Sequence, residues 1–224
     1  MLDARSRDSL DATPEGPPAG VAIVLSAVLT VVAIAHHPVA AGVSSADVLA
    51  SVVRSASMDR LVHGVILVVL LLSVFGFCVF AMRRGLQRPA VLGGLIAYLG
   101  GCAALAQAAV IDGFLVPAVA EHARPDAAAA ALLMLRTPAL AIQSFTFVGI
   151  VAVSAAIVLW SIDLFRSGGA ARAAGLAGGL AALVMLWTMA LHVNHLNPQT
   201  LGFIVAAQAV WYAIVGALLI RGRI

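Results

Sequence analysis

The stretch RLVHGVILVVLLLSVFGFCVFAM, Arg60 to Met82, runs straight into RRGLQR, Arg83 to Arg88. An apolar run of this length is what a membrane-crossing helix needs, since a hydrocarbon core of about 30 Å takes roughly 20 residues at 1.5 Å each. The arginine cluster that ends it marks the side on which the helix stops, because short loops rich in Lys and Arg stay on the cytoplasmic side.

The same pattern recurs along the chain. Apolar segments of spanning length lie near 19–37, 60–82, 90–118, 138–165, 172–193 and 199–220, in a sequence that is 62% hydrophobic and only 10% charged. With a mean hydropathy of +1.07, the expected fold is an all-α, six-helix transmembrane bundle over residues 20–224, preceded by a disordered polar tail over 1–19. All 13 basic residues are arginines. Placing the N-terminus in the cytoplasm puts Arg5, Arg7, Arg83, Arg84, Arg88, Arg166, Arg172, Arg221 and Arg223 inside and only Arg54, Arg60, Arg124 and Arg136 outside, so both termini are expected in the cytoplasm. The net charge of +3 is then a topology signal and does not imply nucleic acid as a partner. A bacterial inner membrane is the expected location. The first span, too long for the apolar core of a signal peptide, is expected to remain uncleaved.

On this topology all six histidines fall at the outer face. His36 and His37 end the first span, His63 begins the second, His122 follows the third, and His192 and His195 end the fifth. Spacing adds to placement: Asp59 and His63 in DRLVH are at i, i+4, and His192 and His195 in HVNH are at i, i+3, so each pair projects from one helical face. In AHHP the two imidazoles diverge by about 100° if the backbone is still helical, and Pro38 biases His37 away from helix.

Imidazole nitrogen and carboxylate oxygen are ligands for Zn, Cu or Fe, whereas two cysteines and no Met-rich run argue against a soft Cu(I) site. The expected metal ligands are therefore His36, His37, Asp59, His63, His192 and His195, with imidazole nitrogens roughly 3–4 Å apart around one ion. Asp112, in VIDGF, is either a further ligand or an acceptor that orients an imidazole. Gly113 and Pro117 are expected to loosen the helix around it. Gln107, Gln143 and Gln208, from three different spans, are candidates for a polar pocket beneath the histidines, and Asn194 for a supporting contact. The segments Ser44 to Ser57 and Asp126 to Arg136 are expected as interfacial helices that roof the site. Cys78 and Cys102 lie at different depths and are expected to be unpaired.

The favoured functional expectation is a membrane metalloprotein with an Asp/His site for a divalent transition metal, acting on a small amphipathic or lipidic substrate if a coordination position stays open. One alternative is a b-type haem protein with His63 and His192 as axial ligands in an electron-transfer or quinol-linked module. Another is a metal transporter or uptake helper, which would need a path through the inner half of the bilayer, where ionisable groups are scarce.

Overall fold

A computed structural model describes residues 15–192 and 198–224. The elements, in order, are α1 (Gly16–Ala35), α2 (Ser45–Arg84), α3 (Pro89–Val110), a π-turn (Ile111–Leu115), α4 (Val116–His122), a 3-10 turn (Pro125–Ala127), α5 (Ala128–Met134), α6 (Arg136–Ser167), α7 (Gly169–Leu191) and α8 (Pro198–Ile220). Among the described residues there is no strand. Six stretches of the described residues are long and apolar enough to cross a membrane, and each overlaps one expected span.

Apolar helices have all their backbone groups hydrogen-bonded internally, which is the condition for crossing lipid. Their ends follow the local chemistry. Pro17 and Pro18 occupy the first turn of α1, where a missing N–H costs nothing, so the helix starts at Gly16, ahead of the expected boundary at residue 20. Ser44 and Asp47 form a reciprocal capping box at the start of α2, and nothing that breaks a helix follows before Gly85. The segment expected as a separate interfacial helix, Ser44 to Ser57, is therefore the first part of one continuous helix of 40 residues. At about 60 Å this helix is twice the thickness of the hydrocarbon core.

The spanning helices form a closed ring in the order α1, α2, α3, α6, α7, α8, with α8 packed back on α1. Closure depends on close approach of backbone: a Cβ on Gly20 would stand 2.5 Å from the Gly216 carbonyl oxygen, and one on Gly216 would stand 2.8 Å from that of Gly20. Small residues at such crossings let helices associate where lipid offers no hydrophobic driving force. The start of α1 reaches the last turn of α8 and Arg83 of α2, so the start of α1, the end of α8 and the arginine-rich loop share one end of the ring.

Two cores fill the structure. At the arginine end the interior is packed with aromatic rings: Phe77 stacks at 5.0 Å on Trp160 and at 5.7 Å on Trp211, with Tyr98 and Tyr212 against it. The indole N–H of Trp160 donates to the Val91 carbonyl and that of Trp211 to the Ala174 carbonyl, so neither buried ring leaves a polar atom unsatisfied. Beside this plug Asp163 accepts from Arg84 at 2.7 Å and Arg88 at 3.0 Å, tying α6 to the loop after α2. The second core lies at the other end, where Leu49 and Val52 of α2 pack with Ala120, Ala128 and Ala131. It forms a small cap beyond the ring, built from the two segments expected to roof the site. Cys78 and Cys102 are both free.

The orientation inferred from the arginines has a direct test in a background lacking Cys78 and Cys102. A His122→Cys variant should react with an impermeant thiol reagent applied from outside, and a Gln87→Cys variant should be spared. The reverse pattern would put the histidine end in the cytoplasm.

Candidate metal centre

The site lies where α1 ends, halfway along α2, and at the π-turn after α3. His36 caps α1, its exposed imidazole turned back at 2.9 Å from the Val32 carbonyl. His37 has left the helix, as its position before Pro38 favours, and its ring meets that of His63 edge-on at 5.0 Å. The neighbouring histidines thus diverge: His37 enters the site and His36 faces out.

His63 is 3% exposed. Its Nδ1 lies 2.9 Å from the Asp59 carbonyl oxygen one turn earlier, and the His37 Nδ1 lies 2.8 Å from the Pro38 carbonyl oxygen. A carbonyl only accepts, so in both rings Nδ1 carries the hydrogen. Both Nε2 atoms then point at one atom, Oδ2 of Asp112, at 3.3 Å from His63 and 3.6 Å from His37.

Asp112 gets there through the π-turn. Pro117 has no N–H to offer the carbonyl of Gly113 four residues back, and the Val116 N–H bonds instead to the Ile111 carbonyl. This one wide turn re-aims the side chains around it, as π-turns at functional sites do. Gly113 lies directly against His63: a Cβ there would be 2.3 Å from the His63 Cβ.

Asp59 approaches from the other side. Its Oδ1 is 3.9 Å from His63 Nδ1, beyond hydrogen-bond reach, and Ser55 donates to its Oδ2 at 3.3 Å. Donor atoms of His37, Asp59 and His63 all lie within 4.8 Å of one another, close enough to hold one metal ion. Among the described residues no other group of three His, Cys, Asp or Glu side chains has all its donor atoms within that distance of one another; Asp112 joins the two imidazoles pairwise, its Oδ2 3.3 Å from His63 Nε2 and 3.6 Å from His37 Nε2.

The electrostatics follow from this geometry. With Nδ1 protonated, neutral His37 and His63 would aim two nitrogen lone pairs at a carboxylate oxygen, which is repulsive. A cation resolves it, either protons on the rings or one metal ion among three donors. The Asp112 carboxylate, by hydrogen bond and by charge, raises the His37 imidazole above its ordinary value, while burial works in the opposite direction.

Below the site the ring encloses a cavity of about 230 Å³. His37, His63 and Asp112 stand at its mouth, Ile66, Leu70, Leu105 and Ile204 on its walls, and Tyr98 and Tyr212 at its floor. Gln143 and Gln208 line it, although it is mostly apolar where a polar pocket was expected. Gln107 does not, because its position on α3 turns it outward and leaves it exposed.

His192 is exposed at the end of α7, with Nδ1 3.0 Å from the Thr188 carbonyl oxygen of its own helix; it is not one of the three clustered residues. His195 and Asn194 lie outside the described residues. The pairing of His63 with His192 on a haem finds no support here, since the His63 Nε2 faces Asp112. A transport path finds none either, since the aromatic plug lies between the cavity floor and the arginine end. The role of Asp112 beside two imidazoles is what sequence reasoning left open, and the signal for it was the unusual trio Asp112, Gly113 and Pro117.

Comparison with known protein families, curated proteins and solved structures finds no match to this chain.

Proposed function

We propose that the protein is an integral membrane metalloprotein in which His37 and His63 hold one divalent transition metal ion together with a carboxylate. That carboxylate is the one of Asp112, at their Nε2 atoms, in preference to that of Asp59, which approaches His63 at Nδ1, where the ring hydrogen is held by the Asp59 backbone carbonyl. The observation that carries this is the convergence of two Nε2 lone pairs on one carboxylate oxygen at 3.3 and 3.6 Å. Donors each about 2.1 Å from a tetrahedral ion are separated by about 3.4 Å. Backbone carbonyls hold the far nitrogen of each ring and so fix its tautomer, which is the usual support for a metal-bound histidine.

Two imidazoles and one carboxylate are a ligand set of Zn hydrolytic sites and of non-haem Fe(II) sites, both of which keep positions open for water, oxygen or substrate. The three residues border the cavity, so an open position would be reached from there. A metal held there would act as a Lewis acid or activate a bound water on a substrate that presents its reactive group at the mouth. The chain's own residues set the ring tautomers, exclude bulk water below the site and deliver an apolar binding space.

Elemental analysis of detergent-purified protein should find close to one transition metal per chain. Protein that carries only trace metal, and takes up none when Zn(II), Fe(II) or Cu(II) is supplied, would overturn the reading.

Proton competition supplies a second check. Because His37 holds its proton more tightly than an ordinary imidazole, metal affinity should already be falling as pH drops through values somewhat above 6.5, the unperturbed histidine value. The metal-free protein has the opposite dependence. A raised histidine value contributes stability that is fully present below about 6.5 and is lost as pH rises through the folded-state value. Thermal unfolding from pH 5 to 9, with chelator and with metal, should therefore show opposite slopes. Parallel slopes would exclude metal at His37.

A further inference from the structure

The cavity beneath the metal centre has the dimensions of a lipid chain. On α2 its lining residues His63, Ile66, Leu70 and Ser73 form one stripe, and on the π-turn and α3 a second stripe runs from Asp112 through Leu105 to Tyr98. From His63 to Ser73 the helix rises about 15 Å. That is half of the roughly 30 Å hydrocarbon core, the depth of one leaflet. A volume of about 230 Å³ over that depth gives a cross-section on the order of 15 Å², the width of one chain and not of two.

Its polarity is one-ended in effect. At the mouth stand two imidazoles and a carboxylate. At the floor the Tyr212 hydroxyl donates to the Tyr98 hydroxyl at 3.1 Å, and the Ser73 hydroxyl donates to the Leu70 carbonyl at 2.9 Å. The floor hydroxyls are engaged with protein partners, and the space above them is walled mostly by apolar side chains, with Thr30, Gln143, Thr146 and Gln208 also on the wall. A space so largely apolar favours an apolar occupant. Gln143 on α6 lines the cavity and is exposed.

We propose that the cavity seats a single straight hydrocarbon chain of an amphiphile from the leaflet on the histidine side, tail on the Tyr98–Tyr212 floor, oxygen-bearing headgroup at His37, His63 and Asp112. The headgroup placement rests on the metal reading above, and the chain placement rests on the cavity alone.

Photo-crosslinking of full-length protein in lipid nanodiscs tests the two parts separately. A fatty acid bearing a diazirine at its terminal carbon should label peptides containing Tyr98, Cys102 and Tyr212, and excess unlabelled fatty acid should suppress the labelling. Thr146→Trp and Val205→Trp each put a large ring into the middle of the shaft, and in whichever variant folds floor labelling should fall about tenfold. Labelling spread instead over outward-facing positions such as Leu180, Leu183 and Phe203, or unchanged by both variants, would overturn the chain seat. A second fatty acid with the diazirine next to its carboxylate should label the His37 and His63 peptides in metal-loaded protein and lose that labelling with chelator. Floor labelling with headgroup labelling that ignores chelator would leave the chain seat standing and remove the metal from headgroup binding. Loss of floor labelling would refute the chain seat whatever the metal content.

Discussion

Asp112→Asn should abolish stoichiometric metal binding, while Asp59→Asn should weaken it by no more than about tenfold, because the group that orients His63 is the Asp59 backbone carbonyl, which asparagine keeps. The two carboxylates flank the same imidazole but meet different nitrogens. Asp112 faces Nε2 of His63 at 3.3 Å, and Asp59 lies 3.9 Å from Nδ1, whose hydrogen is already committed to the Asp59 carbonyl. A lone pair is therefore available on the Asp112 side only. Asparagine keeps the shape and one carbonyl oxygen but loses the charge that draws a dication to two neutral rings. Metal per chain in the two purified variants decides between the carboxylates: if Asp59→Asn proves the more damaging, the ion sits on the Nδ1 side and the assignment of Asp112 is wrong. Both variants should retain the folded ring, which is held by helix packing and not by the ion.

Gly113→Ala should be almost as damaging, although it adds a single methyl group and removes no ligand. The new Cβ would lie 2.3 Å from the His63 Cβ and 2.7 Å from its Cγ, distances at which something must move. His63 is almost wholly buried and its Nδ1 is tied to the Asp59 carbonyl, so the ring cannot swing aside without giving up that bond. Either α2 and the π-turn separate or the imidazole rotates, and both outcomes break the convergence on Asp112. Overpacking of this kind costs about 1–3 kcal/mol, which a six-helix ring can absorb while the site cannot. Metal content should drop to near the level of Asp112→Asn, with the far-ultraviolet circular dichroism spectrum unchanged. A Gly113→Ala protein with full metal would show that His63 is not held where the ligand set requires.

The membrane class, the six spans and the grouping of most arginines at one end of the ring were legible in the sequence because the bilayer imposes them. It requires about 20 apolar residues per crossing and leaves few places for charge. Part of the site was legible too. The i, i+4 spacing of Asp59 and His63 and the Pro38 that turns His37 out of its helix are local features, and local geometry carried them into the structure.

What the sequence could not decide was rotation. A helix in lipid is apolar on every side, since the faces toward neighbours and toward hydrocarbon are equally oily, and no polar stripe announces which face is inward. Gln107 faces out while Gln143 and Gln208 line the cavity, and nothing in their own neighbourhoods distinguishes them. Which of His36 and His37 entered the site depended on where α1 stops against α2 and the π-turn. That Asp112 joins both imidazoles required three elements, far apart in the chain, to close around one point. The ring's packing determines that arrangement, through backbone approaches such as Gly20 on Gly216 and Gly113 on His63 that exist only once the helices are together.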